Sequence, residues 1–117
     1  MVKEFCSKLD RTLHNIRGKN PYVNIVIGDF NAKNTAWFGE ITDYPGLSIE
    51  DVTNSHSLTQ IINQPTNFEP NKRPSCIDLI FVSQAELLTE SGTLSSLLNQ
   101  CHHNILLTKI ALNVPLP

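Results

Sequence analysis

The apolar run Tyr22 to Ile27, ending abruptly in Gly28-Asp29-Phe30-Asn31-Ala32, constrains this chain more than any other feature. Near-continuous apolarity over a few residues predicts a strand buried on both faces. Gly28 tolerates positive φ, and Asp29 and Asn31 can each hydrogen-bond their own backbone. These five residues would therefore end a strand whether or not they did chemistry. The alternative is that the strand carries Asp29 and Asn31, two positions apart, to a site at its end.

A chain of 117 residues suffices for one modest domain, and 40% hydrophobic with 17% charged residues is a globular rather than a disordered composition. No stretch approaches the roughly 18 consecutive apolar residues of a membrane span, and Met1-Val2-Lys3-Glu4-Phe5 lacks the layout of a signal peptide. An intracellular protein of nucleus or cytoplasm, without a membrane partner, is expected. A net charge of −2 excludes nucleic-acid binding through a broad basic surface, so any such contact has to be local. Cys6, Cys76 and Cys101 are odd in number, far apart and without a C-x-x-C pair, which argues for reduced thiols over a disulfide framework or zinc ribbon.

Along the chain, Phe5, Leu9, Leu13 and Ile16 form one apolar stripe, which predicts an amphipathic helix over about 2–17. Gly18 can cap it, and Asn20-Pro21 prevents its resumption. The polar stretch from Asp29 to Gly39 holds Ala36, Trp37 and Phe38, which suits a loop tied down by its aromatics. Tyr44-Pro45-Gly46 reads as a turn, Ser48 as the cap of a short helix to about Asn54, and Ser57 to Ile62 as a short strand. Cys76 to Val82 is a second, nearly all-apolar strand in which Asp78 is the exception. Ser83 could cap a short helix through Ala85 to Leu88, and Ile105 to Leu112 reads as a last strand.

Three sets of polar residues thus sit at strand ends or inside apolar strands: Asp29 with Asn31, Asp78, and His102 with His103. Alone, each has an ordinary explanation. Asp78 could hydrogen-bond a neighbouring loop, and the histidines could be solvated. His14 and His56 read as surface residues, and Cys6 and Cys76 as small core residues.

The order and wording of the pieces carry more. An amphipathic helix, then IVIGDFNA, LTQIINQPTNF, SCIDLIFVS and CHHNILLTKIAL, resembles the C-terminal half of the endonuclease/exonuclease/phosphatase superfamily, and within it the endonuclease domain of non-LTR retrotransposons. The resemblance runs over about residues 4–113. It implies an α/β (α+β) fold, one half of a four-layer α/β sandwich of mostly antiparallel sheets, so that 1–117 is a partial domain without its N-terminal half. It further implies a DNA-nicking phosphodiesterase that uses Mg2+. Asp29 and Asn31 then position or deprotonate the attacking water and hydrogen-bond the phosphate, while Asp78 pairs with His103. On this reading Asp29 and Asn31, two apart in an extended segment, face the same side.

Two departures from the family pattern stand out. The Glu that chiefly holds the metal belongs to the N-terminal half, and the usual Ser-Asp-His is here Cys101-His102-His103, so an imidazole occupies a metal-side carboxylate position. Magnesium prefers oxygen ligands, which counts against His102 as its ligand. A zinc site from these three adjacent residues is disfavoured because neighbours rarely converge on one tetrahedral ion. Trp37 either stacks on a base as a substrate contact or anchors its loop by packing. Beside the nuclease reading stand a non-catalytic half-domain that associates with itself or a partner through an uncovered sheet face, and a superfamily member acting on a phospholipid or small phosphate ester.

Overall fold

The computed structural model describes residues 1–17, 23–94 and 102–110. Gly18, Asn20-Pro21, Tyr22, Cys101 and the stretch beyond Ile110 lie outside the described residues. The fold mixes helices with antiparallel sheets. Helix α1 (Val2–Arg17) leads to strand β1 (Ile25–Asp29), helix α2 (Tyr44–Ser55), strand β2 (Thr59–Gln60) and strand β3 (Asp78–Val82). Strands β4 (Leu88–Leu94) and β5 (Ile105–Ile110) follow. The first sheet has the order β1-β3-β2, and β4 pairs with β5 in a second sheet. All pairings are antiparallel.

β3 lies between two neighbours, and Leu79, Ile80, Phe81 and Val82 are all buried, as expected of its apolar run. β1 departs from expectation. Among the described residues it is an edge strand with alternating burial, and Ile25 and Ile27 are 40% and 60% exposed. Apolar composition reported how the strand is built, while its position in the sheet decided which face is covered.

The buried side of α1 is Cys6, Leu9 and Leu13, and Phe5 and Ile16 lie exposed at the margins of that stripe. Phe5 instead meets Phe30 edge-on at 6.2 Å between ring centroids. The aromatic chain continues from Phe30 to Phe81 and from Phe81 to Trp37. Phe81 is its hub, and its truncation to Ala would cost about 3–5 kcal/mol.

α2 starts earlier than expected, at Tyr44, with Asp43 rather than Ser48 as its cap. The Asp43 carboxylate accepts from Gly46 N at 2.7 Å and from Lys33 N at 3.1 Å. Tyr44-Pro45-Gly46 is therefore the first helical turn, where proline's missing N–H costs nothing. Gly46 packs so closely on the preceding loop that a Cβ there would lie 1.8 Å from Lys33 O. At the other end, His56 is buried and its Nε2 lies 2.8 Å from Asp10 Oδ1 on α1. His56 is thus an interhelical contact rather than a surface residue, while His14 is exposed.

Two further differences have local causes. β2 is only two residues long, though Ile61 N still donates to Ile80 O on β3, and the Gln60 side chain bonds the backbone of Ile62 on the far side. Ser83 caps no helix. Its Oγ accepts from Asn24 N at 2.8 Å, which ties the start of β1 to the end of β3. Ala85–Leu87 is a single 3-10 turn, and β4 follows it directly.

Candidate active site

Asp29 is the last residue of β1 and Asp78 the first of β3, and they are register partners. Phe30 N donates to Ile77 O and Ser83 N to Asn24 O, so the hydrogen-bonded pairs fall on even positions of β1. Asp29 and Asp78 therefore form a non-hydrogen-bonded pair, the kind whose side chains lie closest. Like charges placed so repel, and a cation or a proton between them relieves the repulsion.

His103 supplies that group. Its Nδ1 lies 2.7 Å from Asp78 Oδ2, and its Nε2 lies 4.0 Å from Asp29 Oδ2. One ligand atom from each of the three residues falls within 4.8 Å of the others. The Asp78 hydrogen bond is the main cause that raises the His103 pKa above its ordinary value. Burial opposes it, and the negative charges of Asp78, Asp29 and Glu69 add to it. The imidazole is thus biased toward its protonated form.

A short ladder carries His103 to this position. Asn67 bridges to both Ser75 and His103, Phe68 N donates to His102 O at 2.7 Å, and Asn104 N donates to Thr66 O at 2.8 Å. Thr66 is wholly buried. Its Oγ1 accepts from Ile77 N at 3.2 Å and Asp78 N at 3.1 Å, which holds the backbone of Asp78 from behind. Sequence reasoning missed this role. The signal was its place in the Pro65-Thr66-Asn67-Phe68 wording, since a hydroxyl has to find partners when buried.

Asn31 departs from the extended geometry assumed for it. It is left-handed, with φ of 45°, and its N–H donates to Asp29 Oδ1 at 2.9 Å. The turn reading of this stretch is therefore realised, and the left-handed residue is Asn31 rather than Gly28, which continues β1. Asp29 keeps 48% of its side chain exposed. His102 is exposed and lies outside the converging trio.

Trp37 is 2% exposed, donates from Nε1 to Ala32 O at 3.3 Å and packs on Phe81, so its ring anchors the loop from inside. No face of it is open to a base. Cys6 and Cys76 are buried free thiols, and burial, chiefly, pushes the Cys76 thiol up to about 11, which makes it a packing group rather than a nucleophile.

Two carboxylates and an imidazole are a donor set for a hard or borderline divalent ion. With His103 Nδ1 on Asp78, the oxygens of Asp29 and Asp78 are the donors suited to magnesium. Two carboxylates fall short of the six ligands that an octahedral ion takes, so the remaining positions would belong to water, substrate or other residues.

The comparisons agree with the resemblance carried by the motifs. The family model described as endonuclease-reverse transcriptase matches residues 3–107, and the chain belongs to that family. Among solved structures, the endonuclease domain of TRAS1, a telomere-specific non-LTR retrotransposon, matches with a TM-score of 0.79 and 22% identity. The match covers 97% of this chain and 53% of that one, so this chain spans about half the length of that structure. No curated protein matches. No helix among the described residues is long and apolar enough to cross a membrane.

Proposed function

We propose that this chain is the C-terminal half of a Mg2+-dependent phosphodiesterase domain, the DNA-nicking endonuclease of a retrotransposon polyprotein that works in the nucleus or cytoplasm. The observation that supports it most is the Asp78–His103–Asp29 chain at one end of two paired strands, in a member of the endonuclease-reverse transcriptase family.

In this reading Asp78 holds the imidazole tautomer and stabilises its charge, and the His103 imidazolium faces a phosphate oxygen where negative charge builds. Asp29, exposed at the strand end, orients a water and takes its proton as the water oxygen attacks phosphorus and one P–O ester bond breaks. Asn31 donates to the phosphate from its side chain. A divalent ion held at Asp29 and Asp78 with ligands from the other half would supply further positive charge to the phosphate.

The test is nicking of supercoiled DNA in magnesium, by the 117-residue chain and by the chain extended to a full domain. The extended protein nicks, and Asp29→Asn and Asn31→Ala each lower its rate by on the order of 100-fold with the fold intact. The short chain, with a half-site, does not nick. An extended protein that folds but never cuts DNA supports the non-catalytic reading instead.

A further inference from the structure

Trp37 and Phe38 are neighbours, yet only the second reaches solvent. Trp37 is the buried anchor of its loop, whereas Phe38 keeps 56% of its surface exposed. Phe38 also has a φ of 65°, a left-handed conformation that a bulky side chain adopts only against strain and that glycine would adopt freely. The loop imposes it. Gly39 N donates to Asn34 O at 2.9 Å, Asn34 Oδ1 accepts from Ala36 N at 2.8 Å, and a Cβ on Gly39 would lie 2.5 Å from Asn34 O. An aromatic held in strained backbone and left this open does not offset the strain by packing, and such strain concentrates where a ligand is held.

Phe38 lines a cleft. Lys33, Phe38 and Ile41 from one loop meet Arg73, Pro74 and Ser75 from another around it, and Arg73 pairs there with Glu40. The cleft measures about 230 Å3, short of the roughly 300 Å3 at which pockets begin to enclose a whole small molecule, so it suits one ring of a larger ligand. It adjoins the candidate site through the backbone. Lys33 follows Asn31 by two residues, and Cys76, also in the cleft, precedes Asp78 by two, a span of at most about 7 Å. Ser75 and His103 share Asn67 as their bridge partner.

Lys33 is exposed, and among the described residues its ammonium is in no ion pair. The Arg73–Glu40 pair is exposed on both sides, so it contributes little stability and opens readily to a competing anion. An aromatic face flanked by cations is what a single-stranded nucleotide needs: the ring stacks on a base of any identity, and the cations take the phosphates beside it. We propose that this cleft is a nucleotide subsite of the nuclease, in which an unpaired base flanking the scissile phosphate stacks on Phe38 and the adjoining phosphate lies against Lys33 and Arg73. The inference rests on the phosphodiesterase reading of the chain and assigns to Phe38 the contact first considered for Trp37.

The experiment titrates the 117-residue chain and the extended protein with hexathymidylate and with an abasic hexamer of equal charge, following backbone amides by NMR. Expected are shifts at Phe38, Gly39, Ile41 and Ser75 that are larger with bases than without, and an affinity for hexathymidylate at least about fivefold above that for the abasic hexamer. Phe38→Ala removes that difference, Phe38→Trp keeps it, and Lys33→Ala weakens both oligonucleotides alike and flattens the salt dependence. Phe38→Gly relieves the positive φ, so the melting temperature stays or rises while the preference for bases is lost. Equal affinity for the two oligonucleotides overturns the proposal, as do shifts confined to other surfaces. A Phe38→Gly variant that loses stability and keeps the preference overturns it too, because Phe38 is then a packing residue. Base-dependent binding by an extended protein that never cuts DNA keeps the subsite and removes the nuclease reading, and cutting without a preference for bases does the reverse.

Discussion

Asp29 and Asp78 oppose one another at the last register position of the β1–β3 pair, with the His103 imidazole hydrogen-bonded to the second and 4.0 Å from the first. The pairing of two strands that lie far apart in sequence thus puts two carboxylates where they repel, and a third segment brings the group that relieves them. The ladder through Thr66 and Asn67 holds that third segment against β3.

That coupling makes Asp78 and His103 act as a unit. In the extended protein His103→Ala is expected to remove most nicking activity, and Asp78→Ala to do similar damage. The double variant should be little worse than either single one. Rates that multiply would mean that the hydrogen bond has no part in the reaction.

His102 and His103 should separate cleanly. Neighbours in an extended segment point to opposite sides, and only His103 reaches the two carboxylates. His102→Ala should cost much less than His103→Ala, and His102→Asp should lower the magnesium concentration for half-maximal rate if the surrounding groups keep their places. Equal damage from the two alanine variants would move the assignment of the imidazole.

The pH dependence follows from the raised pKa of His103. Its folded value lies above an unfolded value of about 6.5, so its contribution to stability is complete below that pH and is lost as pH rises through the folded value. An NMR titration of the ring should show the elevation, and Asp78→Asn should bring the value down. In nicking assays the alkaline limb should follow the same group. A ring titrating at or below about 6.5 in the folded protein would remove the imidazolium from the mechanism.

Thr66→Val keeps shape but leaves the N–H groups of Ile77 and Asp78 without their acceptor, at a cost of about 1–3 kcal/mol. Thr66→Ser should restore most of the stability and the rate. Thermal melts and nicking rates on the same samples check this, and a valine variant with unchanged melting temperature and rate would reduce Thr66 to packing.

At the start of α2, Asp43→Ala removes an acceptor for two N–H groups and should cost about 1–2 kcal/mol. Gly46→Ala should cost more, about 3 kcal/mol or more, because the added carbon collides with the Lys33 carbonyl. Denaturant unfolding of the two variants gives the order, and a milder effect at Gly46 would contradict the close approach.

Local order in the residues was enough to announce the helix at the N-terminus, the central strand Asp78–Val82 and the strand that delivers Asp29, because helical and strand patterns are written in neighbouring side chains. The separated motifs likewise pointed to the family and to Asp29, Asn31, Asp78 and His103 as a set. What only the tertiary structure decided depends on partners far along the chain. β4 has the sequence Leu-Thr-Glu-Ser-Gly-Thr-Leu, too polar to read as a strand, and exists by pairing with β5. Trp37 and His56 are interior because α1, β3 and the loop close over them, and Thr66 supports the site because its hydroxyl meets the β3 backbone. The exposed face of Ile25 and Ile27 belongs to the same class. Their apolar side chains predict burial, and only the sheet order shows that no described strand lies beyond β1 to cover them, since burial is a property of neighbours in space rather than of neighbours in sequence.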